Sequence, residues 1–266
     1  MDGKTTLTRR AKILEILEKQ GQVRINDLKE MFSVSEVTLR NDLEKLEGKK
    51  LLIRTRGGGI KTPEVRFDYQ FNKAMTVSLK EKQAIGKEAG KLVKDNETII
   101  LDSGTTTLEV ARNLVNLNNL TVITNSINIA FELLNYPNLK IIMLGGNIRP
   151  SSLSVNGPFA ENNLKDLYCD KVFLGVNGVD SKLGIFTTVI EDTPLNRLMI
   201  ERSKEVIVVT DSSKFYKKSF SVVAPISSVD ILVTDSNIPK DELENLTNAG
   251  VRTIIVEIFY HYLHQL

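Results

Sequence analysis

The feature that most constrains the fold is a unit that recurs through the second part of the chain. A short run rich in β-branched residues stops at small polar residues and gives way to helix-compatible sequence. The run 98–101 ends at Asp102-Ser103-Gly104, 120–124 at Asn125-Ser126, 140–144 at Gly145-Gly146, 171–176 at Asn177-Gly178, and 205–210 at Asp211-Ser212-Ser213-Lys214. The runs 230–234 and 252–256 complete the series. Short β-branched runs alternating with helical stretches specify an α/β domain whose mostly parallel sheet is covered on both faces.

In such a sheet ligands bind outside the carboxyl ends of the strands, where this chain gathers its small and polar residues. The first of these turns, Asp102-Ser103-Gly104-Thr105-Thr106-Thr107, reads as strand, tight turn and helix. It brings backbone N–H groups and hydroxyls to the positive end of a helix, which suits a phosphate or carboxylate. An ordinary strand-to-helix turn capped by Ser or Thr is the competing reading. Thr124, Asn125, Ser126, Gly145, Gly146, Asn177, Gly178, Thr187 and Lys214 are expected on the same crevice. Hydroxyls, amides, backbone donors and one lysine suit a phosphorylated sugar or polyol. Taken singly, Gly145-Gly146 is a turn, Asn125-Ser126 a helix cap and Lys214 a surface lysine.

At 266 residues the chain is long enough for one small and one larger domain. No apolar run approaches the ~20 residues that span a bilayer, and the polar, basic start lacks the apolar stretch of a secretory signal. A cytoplasmic chain without a membrane partner is expected. One cysteine, Cys169, excludes an intrachain disulfide, and with two histidines, His261 and His264, no multi-ligand zinc cluster is expected, nor any cofactor. Cys169 reads as a small buried or loop thiol, and the histidines as part of a frayed tail. Charge is uneven. Residues 1–60 hold 13 Lys and Arg against 9 Asp and Glu, whereas the remainder holds 22 against 24. A basic N-terminal part points to nucleic acid.

That part predicts three helices. Leu7, Ala11, Ile13, Leu14 and Leu17 share one side of the first, which stops at Gly21. Asn26 or Asp27 caps a second, with Leu28, Met31 and Phe32 inward, ending at Ser33. Ser35 caps a third, which buries Leu39, Leu43 and Leu46 and turns Val37, Thr38, Arg40, Asn41 and Lys45 outward. This is the helix-turn-helix plan, in which the outward face of the second helix of the motif enters the major groove. Arg40 can read guanine and Asn41 adenine, while Ser35, Thr38 and Lys45 hold phosphates. Residues 51–60 read as a glycine-tipped hairpin, a wing that carries Arg54 and Arg56 to backbone or minor groove. A generic three-helix unit with a solvated charged face is the bland alternative.

The stretch Val34-Ser35-Glu36-Val37-Thr38-Leu39-Arg40-Asn41-Asp42-Leu43, followed by Leu52, Arg54 and Gly57-Gly58, resembles the DeoR-type bacterial transcriptional regulators. Asn41 stands where the family usually has a second basic residue, and Arg56 where it often has His. The larger part is similar to that family's effector-sensing domain in its Asp-Ser-Gly-Thr-Thr turn, Thr-Asn-Ser, Gly-Gly, Gly-x-Asn-Gly and Asp-Ser-Ser-Lys-Phe segments. The resemblance implies a fold like that of ribose-5-phosphate isomerase, a double-stranded operator as partner, release by a phosphorylated sugar, and a homo-oligomer, dimer or tetramer.

The expected organisation is a winged helix-turn-helix domain over 1–60, a linker over 61–77 with one ordered piece around 67–71, and an α/β effector-sensing domain over 78–266. Ser78 is expected to cap a helix through Leu92, and Ile127, Ala130, Phe131 and Leu134 to form the inward face of another. Two rival functions remain. An active sugar-phosphate isomerase would need a carboxylate to move the proton and a group to stabilise the oxyanion, with Asp102, Asp180, Glu191 and Lys214 as candidates. Its relatives carry acids where Asn177 stands, so a pocket without catalysis is expected. An architectural DNA-binding protein would leave the polar crevice unused.

Overall fold

The computed structural model describes residues 2–48, 51–60 and 74–258, with no description of the side chains of 2–8, 18 and 19. The expected ordered piece around 67–71 and the two histidines lie outside the described residues. The chain divides into two compact units, 1–70 and 71–266.

The first unit contains α1 (Asp2–Gln20), β1 (Gln22–Arg24), α2 (Ile25–Phe32), α3 (Glu36–Gly48), β2 (Ile53–Thr55) and β3 (Gly58–Ile60). Ile13, Leu17, Ile25, Leu28, Leu39, Leu43, Leu46 and Leu52 form its core. The hairpin β2–β3 is the expected wing, but β3 also pairs with β1, so the sheet has three strands in the order β1-β3-β2. That third strand places Ile25 rather than Asn26 or Asp27 at the start of α2, with Arg24 at its cap and no side-chain cap bond. The inward face of α2 is Ile25 and Leu28, with the half-buried Phe32 packed against the core as expected; Met31 is exposed, as is Ala11 on α1. Ser33 ends α2 in the left-handed conformation.

The second unit is built on a seven-stranded sheet in the order β15-β14-β12-β9-β4-β5-β6, every pairing parallel. Its strands are β4 (Thr98–Leu101), β5 (Leu120–Thr124), β6 (Leu139–Met143), β9 (Cys169–Gly175), β12 (Ser203–Val209), β14 (Ile231–Asp235) and β15 (Arg252–Val256). Side chains alternate across it with the strand period of two. Ile99, Leu101, Phe173, Ile207 and Val209 join a core with α4 (Leu79–Gly90), α5 (Thr105–Arg112) and α6 (Ile127–Leu133). Ile100, Val172, Leu174, Val206 and Val208 join another with α7 (Pro158–Lys165), α8 (Thr193–Glu201) and α9 (Lys240–Asn248). Cys169 is buried in the second core, and burial pushes its thiol up to about 11, which disfavours the nucleophilic thiolate.

Two smaller sheets are not legible in the sequence: the hairpin β7 (Asn147–Arg149) with β8 (Ser154–Asn156), and the antiparallel set β10 (Gly178–Asp180), β11 (Gly184–Thr187) and β13 (Ser221–Ala224). Two helix expectations are corrected. Ser78 precedes α4 in the left-handed conformation and makes no side-chain cap bond. On α6 the buried residues are Ile129 and Leu133, whereas Phe131 and Leu134 are 74% and 67% exposed. The sheet lies against the other stripe of that helix.

Candidate functional site

In the first unit, α3 presents Ser35, Val37, Arg40, Asn41 and Lys45 to solvent, with Thr38 half-buried, opposite its buried Leu39, Asp42, Leu43 and Leu46. The Ser35 hydroxyl accepts the Thr38 N–H at 3.2 Å and lies 2.8 Å from the Thr38 hydroxyl, so the expected cap is made. Arg40 donates from Nη2 and Nε to one oxygen of Glu36, at 2.6 and 2.9 Å. Arg56 is exposed at the wing tip, while the Arg54 backbone N–H donates to Glu47. Arg24, not foreseen from sequence, lines a cleft of about 580 Å³ with Arg40 and Arg56. Asp27 and Glu36 share the lining, so the three arginines leave the cleft a modest cationic excess, which suits a phosphodiester backbone. Asp42, also missed, is buried and paired with both Arg9 and Arg10 at 2.6 Å, which ties α1 to α3.

In the second unit the expected anion cradle is the turn after β4. The Asp102 N–H bonds to Phe173 on β9, and Gly104 comes within 4.0 Å of the Gly175 Cα, measured from the position of an added Cβ. No side chain caps α5, and its first internal bond runs from the Leu108 N–H to the Gly104 carbonyl. The N–H groups of Thr105, Thr106 and Thr107 therefore precede the helical ladder. Ser103, Gly104 and Thr105 are half-buried at the mouth, and Thr106 is buried. Lys214 follows β12, the neighbour of β9, close enough to Lys82 that its charge helps hold that ammonium below the usual lysine range; burial is the larger cause. Lys82 donates to the carbonyls of Ala74 and Val77 and is attracted by Asp211.

Several residues expected to face the ligand are occupied within the protein instead. The Thr107 hydroxyl donates to Gly104 O, that of Thr124 donates to Leu101 O and accepts the Ser126 N–H, and that of Ser126 caps α6 through the Ile129 N–H. These bonds use all three hydroxyls inside the protein, so they shape the turns rather than face a ligand. Gly178 is a close-approach position, where a Cβ would overlap the Lys217 carbonyl. Gly146 combines φ +143° with a would-be Cβ only 2.6 Å from Asn156 O, which lets β8 pass. Gly145 is exposed. Asn177 accepts the Thr188 N–H at 3.2 Å and lies 3.4 Å from the Thr187 hydroxyl, stapling two loops.

Asp102 is buried, and burial, with Asp192 adding repulsion, pushes its carboxyl up to about 7 against the backbone bonds from Ser103 and Gly175 and the side-chain bond from Asn196. Asp192 in turn is held by Arg149 at 2.5 Å and Asn156 at 3.1 Å. Arg149, Asn156, Asp192 and Asn196 were missed because they lie on the small hairpin and at the start of α8, which the strand pattern does not predict. Among the described residues no group of three His, Cys, Asp or Glu is placed to hold a metal ion, and no helix is long and apolar enough to cross a membrane.

A winged helix-turn-helix unit with a polar, cation-bearing outward helix, joined in one chain to a parallel α/β unit, is the architecture of a DNA-binding transcriptional regulator. This chain belongs to the DeoR family: residues 9–62 match the DeoR-like helix-turn-helix domain and 77–236 the DeoR C terminal sensor domain. It is 37% identical over 94% of both chains to a protein assigned as transcriptional repressor of the aga operon in Escherichia coli O157:H7. It is 36% identical to the transcriptional repressor AccR of Agrobacterium fabrum, over 96% of this chain and 94% of that one. With the HTH-type transcriptional repressor GlcR of Bacillus subtilis it shares 34%, over 92% and 94%. Among solved structures, ribose 5-phosphate isomerase A from Methanocaldococcus jannaschii aligns at TM-score 0.40 with 22% identity, over 53% of this chain and 56% of that one.

Proposed function

We propose that this regulator represses a sugar or polyol catabolic operon, holding double-stranded operator through α3 and the wing and leaving it when a phosphorylated sugar or polyol binds the second unit. The observation that carries the reading is the uncapped N-terminus of α5 beside Gly175 and near the β12 end that bears Lys214. Helix-terminal N–H groups and a lysine at the carboxyl ends of parallel strands form a site for a phosphate. Ser103, Gly104, Thr105, Thr106 and Lys214 are its contacts; Thr107, Thr124, Ser126 and Gly178 hold it in shape. The DNA contacts are Ser35, Val37, Thr38, Arg40, Asn41, Lys45, Arg54 and Arg56. The protein acts in the cytoplasm as a homo-oligomer, because paired wings on a two-fold operator need at least a dimer.

The mechanism is linkage: a ligand that binds the DNA-free state more tightly shifts the operator equilibrium by that ratio. Titrating sugar phosphates against the operator complex in a gel-shift assay tests it; release supports the reading, and indifference to every sugar phosphate sinks it.

The elevated Asp102 carboxyl favours a second reading, proton transfer in a sugar-phosphate isomerase. Against it, Asn177 stands in the loop where such an enzyme places an acid, and its amide cannot act as a base. Turnover of any pentose or hexose phosphate above background would support the enzyme.

A further inference from the structure

Next to the cradle lies a second polar group with a different chemistry. Asp192, on the turn Ile190–Asp192, is gripped through Oδ2 by Arg149 of β7 and through Oδ1 by Asn156 of β8. Its charge is felt by Asp102, which Asn196 of α8 also bonds. The hairpin that carries Arg149 and Asn156 is fastened to the sheet and to α6, by Val155 N–H to Asn125 O at 2.8 Å and Ile127 N–H to Leu153 O at 2.9 Å. It is a wall built before any ligand arrives. Asn125, beside Asp102 because Thr124 pairs with Leu101, leaves its Oδ1 buried without a partner. A buried acceptor of this kind costs free energy until a donor reaches it.

We propose that Asp102, Asn125, Asn156 and Asp192 form the hydroxyl-reading end of the effector site and select against an effector that carries a second anionic group at that end. The inference rests on the effector reading above, which supplies the phosphate end. The chemistry of this wall is acceptor-rich: the Asp192 carboxylate, the Asp102 carboxyl and the unpartnered Asn125 amide oxygen stand against one guanidinium, which Asp192 already pairs. Hydroxyl donors satisfy such acceptors, whereas a second phosphate or a terminal carboxylate meets like charge. The two ends thereby orient the ligand, phosphate toward α5 and hydroxyls toward Asp192.

Titration calorimetry on the full chain separates the two ideas. The probes are inorganic phosphate, the four-, five- and six-carbon alditol monophosphates, and for each the corresponding aldonate monophosphate and terminal bisphosphate. At least one alditol monophosphate is expected to bind about tenfold or more tighter than inorganic phosphate and than its own aldonate and bisphosphate counterparts. In Asp192→Asn, which keeps the shape and removes the charge, that preference over the anionic counterparts collapses while inorganic phosphate binds as before. Retained phosphate binding also reports that the variant is folded, and Arg149→Gln, a half-exposed change, is expected to weaken the alditol phosphate alone. A bisphosphate or aldonate that binds tighter, a preference that survives Asp192→Asn, or no alditol phosphate better than phosphate overturns the inference and leaves the cradle standing. Failure of inorganic phosphate and every phosphorylated probe to bind overturns both.

Discussion

Arg40 is held by Glu36, one turn earlier on α3, through two nitrogens aimed at a single carboxylate oxygen. An exposed i, i+4 pair contributes only ~0.3–0.5 kcal/mol to the helix, so its larger effect is expected on DNA binding. To reach a base Arg40 must leave Glu36, and Glu36 itself repels phosphates. Glu36→Gln is expected to tighten binding to all sequences and to steepen the dependence of log K on log salt by about one unit. Arg40→Ala is expected to cost about 1–3 kcal/mol and to relax preference at one base pair. Binding-site selection from a random pool, followed by titrations at several salt concentrations, checks both; weaker binding by Glu36→Gln would make Glu36 a direct DNA contact instead.

Asp42 holds the winged unit together from inside. Its carboxylate is 1% exposed and takes Arg9 on one oxygen and Arg10 on the other. Removing one partner of a buried ion pair strands the rest, at a cost of about 3–5 kcal/mol. Asp42→Ala is therefore expected to lower the melting transition of the first unit and leave that of the second in place. Thermal melts followed by circular dichroism read the two; an unchanged first transition would mean the arginines find water as easily as Asp42.

Asp102 makes the stability of the second unit depend on pH in a defined direction. Its folded pKa, about 7 because of burial and Asp192, lies above the ordinary carboxylate value of about 3.9. The folded state thus binds more protons between those values, and stability falls as pH rises. This contribution is fully present below about pH 4 and lost by the time pH passes about 7. Asp102→Asn removes the ionisation, so the variant is expected to gain several degrees of melting temperature on the unmutated protein at pH 8 and nothing at pH 4. An equal difference at both pH values would place the effect elsewhere.

The parallel sheet was legible because strands buried on both faces are near-continuous β-branched runs, and the turn at Asp102 because it breaks such a run. The inward face of α6 was not. Ile127, Ala130, Phe131 and Leu134 make as good a stripe as Ile129 and Leu133, and only the crossing of the helix over the sheet decides which is buried. The hairpins β7–β8 and β10–β11 are short and mixed in polarity, so Arg149, Asn156 and Asp192 carry no periodic signal. Hydroxyls were also overcounted at the crevice: Thr107, Thr124 and Ser126 stand in the right turns, but a turn needs its own side-chain bonds first.

Gly104→Val is expected to separate ligand sensing from DNA binding. The Gly104 φ of 168° is extended backbone that any residue adopts, so a side chain there is limited by space alone. A Cβ would sit 3.1 Å from the Thr107 hydroxyl and 4.0 Å from the Gly175 Cα, a fit that needs a few tenths of an ångström of adjustment. The methyls of Gly104→Val would then stand over the N–H groups of Thr105 and Thr106, where a phosphate must approach. Operator affinity is expected to stay within about threefold, under ~0.7 kcal/mol, while release by a sugar phosphate that acts on the unmutated protein is lost. Gel-shift titrations with and without that ligand measure both in one experiment. Normal release by the valine variant would mean that the phosphate does not bind at α5.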